Sequence, residues 1–298
     1  MTRQAIGASR AITSDDPIAG VKHVVLVISG KGGVGKSTAA TNLSMALGRR
    51  GYRTGLLDAD IYGPSIPTMF GVTSRPFSTD GKSIEPLERF GIKLMSIGFL
   101  LDDPKSAVIW RGPMLNGALQ QFLKDVNWGK LDFLVIDLPP GTGDVALTLS
   151  QRASVSGAVV ITTPQQVATD DVYKSISMCK KVNIPVLGVI ENMSWFVDTA
   201  GVKHELFGSG GGQAVADFAH APLLGQVPID QSVREWGDKG TPIVQSMPDG
   251  AIASAFMEIA DKLVQAVSER ADQVESAGPP VIDRGEKPDG KRRLPVTR

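Results

Sequence analysis

The 298-residue chain is expected to form one α/β domain whose mostly parallel sheet is covered by helices on both faces. Three observations lead there. Short apolar runs alternate with helical stretches along most of the chain, as in βαβ units. The runs are continuous rather than alternating, which suits strands buried on both sides. A glycine-rich loop joins the first run to the first helix.

Residues 1–20 are polar, lack the apolar stretch of a signal peptide and read as a flexible N-terminal arm. The β-branched run at 23–28 is the first strand. Residues 30–37 then read Gly-Lys-Gly-Gly-Val-Gly-Lys-Ser. The pattern G-x-x-x-x-G-K-[ST] is met by Gly30, Gly35, Lys36 and Ser37. Its glycines let the backbone turn its N–H groups inward on phosphate oxygens. The next helix adds the positive end of its dipole to the same anion. Lys36 brings a full charge to the outer phosphates, and the Ser37 hydroxyl is placed to bind Mg2+. The helix covers 37–50, with Leu43, Leu47 and the small Ala39, Ala40 and Ala46 at helical spacing, and Gly51 stops it. Strand, loop and helix together predict a nucleotide site of the P-loop kind.

Further strands are expected at 53–57, 133–136, 158–162, 185–190 and 223–227. Helices are expected at 113–126, 165–181, 213–219 and 252–267. Segment 71–104, rich in Gly, Pro and Ser, breaks this rhythm and reads as an insertion with a small hairpin. The P-loop domain thus runs over 21–270. Residues 271–298, with many prolines and charges and little periodicity, read as a disordered tail. Its Lys291-Arg292-Arg293 is a solvated basic end.

Composition narrows the function classes. Lys plus Arg and Asp plus Glu both number 31, so the chain has no electrostatic footprint for nucleic acid. No apolar run is long enough to span a bilayer. The single cysteine, Cys179, rules out an intrachain disulfide and fits a reducing, cytoplasmic setting. It shares a helical face with Val172 and Ile176, which reads as buried core. His23 and His220 have no metal-site spacing.

Acids close the strands beside the loop. Asp58 and Asp60 follow the second strand, where the carboxyl ends of parallel strands face a ligand crevice. Each alone also suits a turn or a helix cap. Asp137 ends the run Phe-Leu-Val-Ile-Asp, the arrangement in which a carboxylate holds Mg2+. Pro139-Pro140-Gly141-Thr142-Gly143-Asp144 follows and reads as a segment that switches on hydrolysis; Asp144 equally suits a cap for a helix starting at Val145. Glu191-Asn192-Met193-Ser194 and Val227-Pro228-Ile229-Asp230 are strand-end turns on their own.

The extra Lys31 makes Gly-Lys-Gly-Gly-Val-Gly-Lys-Ser-Thr resemble the deviant P-loop of Min-system, ParA-type, arsenite-pump and nitrogenase iron-protein ATPases. Asp58-Ala-Asp-Ile-Tyr-Gly-Pro-Ser65, Trp110-Arg-Gly-Pro-Met114, Asp137-Leu-Pro-Pro-Gly-Thr-Gly-Asp144, Glu191-Asn-Met-Ser194 and Phe207-Gly-Ser-Gly-Gly211 narrow this to a resemblance to the Mrp (ApbC) family of iron–sulfur cluster carrier ATPases, over about 20–268. The resemblance implies an ATP-hydrolysing homodimer. Nucleotide would be held by Gly30, Lys31, Gly32, Gly33, Val34, Gly35, Lys36, Ser37 and Thr38, with Asn192 on the adenine edge and Pro228 beside it. Mg2+ would lie on Ser37 and Asp137, with Asp58 close by. Lys31 would reach the partner's nucleotide, and Asp60 would orient or deprotonate the attacking water. The implied partners are apo iron–sulfur proteins or assembly factors, and the implied cargo is a labile cluster.

Two departures matter. Many members carry an additional N-terminal domain, which this chain is expected to lack. The family's C-x-x-C pair, which follows E-N-M-S-x-F, is absent. That stretch reads Trp195-Phe-Val-Asp-Thr-Ala-Gly-Val-Lys-His204, with Asp198, Thr199 and Ala200 where the pair would stand. A cluster needs four thiolates, so the alternative is a positioning or partitioning ATPase acting on another cargo.

Overall fold

The structure is a computed structural model that describes residues 6, 9–10, 16–78, 80–100, 112–141 and 143–277. Its elements in chain order are β1 (Val21–Ser29), α1 (Lys36–Arg49), β2 (Thr54–Asp58), α2 (Ile66–Met69), β3 (Leu87–Arg89), β4 (Ile92–Ser96), a 3-10 turn (Ile97–Leu100), α3 (Gly112–Lys124), β5 (Leu131–Asp137), α4 (Gly143–Arg152), β6 (Gly157–Thr162), α5 (Gln166–Lys181), β7 (Val186–Val197), β8 (Lys203–His204), α6 (Gly211–Ala219), β9 (Leu223–Ile229), α7 (Gln231–Asp238), α8 (Ile243–Ser246) and α9 (Ala251–Ala277). Nine strands form one sheet in the order β3-β4-β2-β5-β1-β6-β7-β8, with β9 also on β7. All pairs are parallel except β3 with β4 and β7 with β8.

The continuous apolar runs are explained by the two cores. Successive side chains of a strand point to opposite faces. Val24, Leu26 and Ile28 of β1 enter the core beneath α3, α4, α5 and α6. Val25 and Val27 enter the core beneath α1, α8 and α9. Leu134 and Ile136 of β5, against Phe133 and Val135, divide in the same way. Cys179 is fully buried in the first core with Val172 and Ile176, as its helical spacing predicts.

Several expectations are corrected. The hairpin foreseen within 71–104 exists as β3 and β4, yet it is no mere insertion: β4 pairs in parallel with β2 from Thr54–Ile92 to Asp58–Ser96. Ile92, Leu94 and Met95 are buried, which places this strand in the sheet proper. The strand expected to end at 190 continues to Val197. It survives its polar stretch because Met193 takes a positive φ of 57° and the register with β9 shifts between Asn192 and Phe196, a bulge that bends the strand. The fourth helix begins at Gly143, so Asp144 lies inside its first turn and is not the cap of a helix from Val145. The last helix runs to Ala277, past the point where the tail was drawn. Asp230 turns out to be the N-cap of α7, accepting a bond from the Ser232 N–H.

The expected N-terminal arm is docked where it is described. Arg10 forms a buried ion pair with Asp16 and donates to the carbonyls of Ile18 and Val21. Trp110 and Arg111, Thr142 and residues 278–298, including the Lys291-Arg292-Arg293 end, lie outside the described residues.

Candidate nucleotide site

The site forms where β1, β2 and β5 end side by side. Register pairs Val27 of β1 and Asp58 of β2 with Asp137 of β5. The carboxyl ends of neighbouring parallel strands therefore deliver two acids to the loop that leaves β1, the crevice in which open α/β sheets bind ligands. Within the loop Gly33 and Gly35 both have φ of 81°. A Cβ on Gly35 would meet the Asn192 side-chain nitrogen at 2.2 Å, so this position needs glycine on conformational and steric grounds. The Ala39 N–H bonds to the Gly35 carbonyl, which starts α1 directly from the loop.

Lys36 is buried, and its ammonium lies 2.6 Å from Asp137 Oδ1 and 3.2 Å from Asp60 Oδ2. Its ammonium thus bridges the two acids at the mouth of the loop. Asp60 is aimed by its own loop, since its N–H donates to Asp58 Oδ1 and its Oδ1 accepts from the Tyr62 N–H. Burial pushes the Asp137 carboxyl above its ordinary value, and the Lys36 ammonium pulls against that. Among the described residues Asp137 Oδ2 is buried with no hydrogen-bond partner. A free carboxylate oxygen beside the Ser37 hydroxyl is a donor set for a hard cation.

Asp58, expected close to the metal, lies beside Asp137 in the sheet and has both carboxyl oxygens in hydrogen bonds. Its Oδ1 takes the Asp60 N–H, and its Oδ2 takes the Ile66 N–H and the Ser96 hydroxyl. It thus ties β4 to the loop that presents Asp60. Ser96 carries no signal in the sequence, because its place follows from the pairing of β4 with β2. Burial, and then the neighbouring Asp137 charge, push Asp58 up to about 8.

The folded chain therefore keeps a proton on this acid pair that the unfolded chain releases near 3.8. Stability is highest below that window and falls as pH rises through it. His23, lowered to about 4 from 6.5, acts in the opposite sense but only below 6.5. The melting temperature is therefore expected to fall between pH 6.5 and about 8, and Asp58→Asn is expected to flatten that slope. Thermal melts across this range check it; an equal slope in the variant would remove Asp58 as the cause.

Two connected cavities extend from the loop. One, of ≈ 220 Å3, is lined by Lys31, Gly32, Gly33, Lys36, Ser37, Asp60 and Pro140 among others. The larger, of ≈ 640 Å3, shares Gly35, Thr38, Ser65 and Met69 with it and reaches Asn192 and Pro228. The predicted phosphate and base residues thus line one continuous cleft. Gly30 and Val34 support it from behind. A Cβ on Gly30 would strike the backbone of α5, and the Val34 carbonyl accepts from the Asn192 amide at 2.9 Å. That amide is thereby tied to the loop. Gly141 of the expected switch segment donates its N–H to the Ser29 carbonyl at 3.1 Å.

The remaining motifs are structural. Glu191 is buried and accepts from the Gly212 N–H at the start of α6 and from Gln226. A Cβ on Gly211 would lie 2.2 Å from the Pro164 carbonyl oxygen. The stretch that would carry paired cysteines is a hairpin of β7 and β8. Asp198 Oδ1 accepts the Ala200 and Val202 N–H groups, and its Oδ2 lies 2.7 Å from His204 Nε2. These bonds hold the Asp198 carboxyl below its ordinary value. Burial pushes the Cys179 thiol up to about 11, away from the thiolate that ligates metals. Among the described residues no group of three or more His, Cys, Asp or Glu stands ready for a metal ion. With a single, buried cysteine the chain offers at most one of the four thiolates a cluster needs. Among those residues, too, no helix is long and apolar enough to cross a membrane.

Comparison with known proteins agrees with this geometry. A family profile described as ParA, NUBPL iron-transfer P-loop NTPase, matches residues 20–264. An iron–sulfur cluster carrier protein of Aquifex aeolicus is 53% identical over 260 residues, covering 86% of this chain and 71% of the relative. One from Escherichia coli K12 is 48% identical over 260 residues, covering 87% and 70%. Among solved structures, a nucleotide-binding protein from Archaeoglobus fulgidus in complex with ADP superposes with a TM-score of 0.67 at 38% identity, covering 77% of this chain and 92% of that one. The cell division ATPase MinD of Pyrococcus furiosus, at 23% identity and a TM-score of 0.61 over 82% and 98%, shares the fold. A complete phosphate loop whose lysine is held by Asp60 and Asp137, together with a family match over residues 20–264, places this chain in the family of NUBPL iron-transfer P-loop NTPases.

Proposed function

We propose that the chain binds and hydrolyses ATP with Mg2+ as a homodimer, and that this cycle serves iron–sulfur cluster delivery or assembly in the cytoplasm. The observation that carries the ATPase part is the convergence of Asp60 and Asp137 on the Lys36 ammonium inside a phosphate loop. Lys36 exchanges these carboxylates for the outer phosphates, and the loop amides hold the remainder. Ser37 and Asp137 would hold Mg2+, which when bound neutralises charge on the phosphate oxygens. Asp58 sets the loop that presents Asp60. Asp60, freed from Lys36, orients the attacking water and draws on its proton. Lys31, at the mouth of the smaller cavity, reaches a nucleotide held by a second copy. Asn192 and Pro228 line the base end. Catalysis here is positioning and charge stabilisation.

The cluster part rests on the relatives, which are named iron–sulfur cluster carrier proteins. Because this chain lacks the paired cysteines, the ligands for such a cargo come from the recipient or donor protein. The test is twofold. Phosphate release from ATP, strengthened by an apo iron–sulfur protein, supports the proposal. Iron and sulfide are then measured per chain after anaerobic reconstitution of wild type and Cys179→Ala. No cluster in either is expected. A stable cluster lost only in Cys179→Ala would make that buried thiol a ligand and overturn the partner-supplied reading. No phosphate release under any condition would overturn the ATPase.

A further inference from the structure

A second cavity, of ≈ 630 Å3, opens at the opposite end of the sheet from the phosphate loop. It lies at the amino ends of β1, β6 and β7, and it nearly equals the larger of the two nucleotide cavities in size. Both fall in the range of about 300–1,000 Å3 that holds small ligands. Nothing in the nucleotide machinery reaches it, because Lys36 follows the far end of β1.

Its lining has a definite chemistry. Val182, Ile184 and Val267 give it an apolar body. Arg270 stands exposed on its wall and makes no ion pair among the described residues. Among the described residues no Asp or Glu lines it, and the other lining guanidinium, Arg10, is already committed to Asp16. His23 lines the same cavity; it is 1% exposed, and its Nε2 has no hydrogen-bond partner among the described residues. Buried polar atoms in native structures are nearly always partnered, so an orphan on a cavity wall needs an explanation. Burial and the neighbouring Lys22 keep this imidazole uncharged near neutral pH, lowered to about 4, so it offers a neutral hydrogen bond. Ser154 adds a hydroxyl.

We propose that this cavity is a binding site for a small monoanionic amphiphile, a carboxylate on an unbranched hydrocarbon tail. The carboxylate sits on Arg270 at the mouth. The tail lies along Val182, Ile184 and Val267, and His23 and Ser154 serve the polar edge. The site is independent of the reading given for the nucleotide cleft.

Decanoate, kept below its micelle concentration, is the probe, and titration calorimetry on the full chain is the measurement. Saturable binding of one equivalent is expected. Arg270→Glu is expected to weaken it about tenfold or more by reversing the charge that holds the carboxylate. Ser154→Trp, which fills the cavity, is expected to abolish it. Circular dichroism and ATP affinity check that both variants are folded, since neither residue touches the nucleotide cleft. Absence of decanoate binding in the wild type would overturn the proposal. So would equal binding in wild type and both variants, which would place the probe elsewhere, for instance on the exposed Val202 and Leu206 of the hairpin.

Discussion

Replacing Lys36 with alanine is expected to weaken ATP binding at least about a hundredfold, roughly 2.7 kcal/mol or more. Two effects act in the same direction. The variant loses the one cation buried in the loop, and it uncovers Asp137 and Asp60, which lie 2.6 Å and 3.2 Å from that cation. Two bare carboxylates beside the phosphates repel the ligand that the lysine attracted. The folded state also suffers. Breaking a buried pair by removing one partner typically costs about 3–5 kcal/mol, reduced here to the extent that Asp137, already pushed toward its protonated form by burial, takes up a proton. The variant should therefore melt lower, and more so at alkaline than at acid pH. Calorimetric titration with ATP and Mg2+, alongside a melt at both pH values, reads both effects. Undiminished ATP affinity would remove the loop from the nucleotide site.

The same lysine shows how far a sequence carries. Its spacing from Gly30 and Gly35 is local, so the loop, its strand and its helix were legible directly. So were most of the strands, because a parallel sheet covered on both faces demands unbroken apolar runs. Cys179 was legible for a similar reason: three residues at helical spacing define one face. What escaped depended on contacts distant in sequence. The Glu191 stretch reads as a turn, yet the strand passes through it because Glu191 is satisfied by Gly212 and Gln226, and Asn192 by Val34. Membership of β4 in the sheet depends on its partner β2, and α7 on the single cap at Asp230. A strand-end acid such as Asp58 is legible as one that faces a ligand crevice; the N–H groups of Asp60 and Ile66 and the Ser96 hydroxyl on its oxygens are not, since they depend on the fold. The cavity at the amino ends of the strands carries no motif, since its walls come from five separate stretches of chain.

Asp60→Asn is expected to leave ATP binding within about threefold of wild type while lowering turnover about a hundredfold or more, the scale of a lost general base. Asparagine is the informative choice because its Oδ1 still accepts the Tyr62 N–H, and the residue's own N–H still reaches Asp58 Oδ1. The loop therefore keeps its shape, and only the charge and basicity change. One further consequence separates this role from a structural one. In the wild type Lys36 is shared between Asp60 and Asp137; in the variant Asp137 alone competes with phosphate for it. ATP affinity should therefore stay level or rise slightly as turnover collapses, a split that general unfolding of the loop does not produce. Single-turnover phosphate release and equilibrium ATP binding, measured on the same preparation, give the two numbers. Normal turnover would hand the water to another residue. A parallel loss of affinity would make Asp60 a support of the loop, leaving Asp137 as the only acid at work on the phosphates.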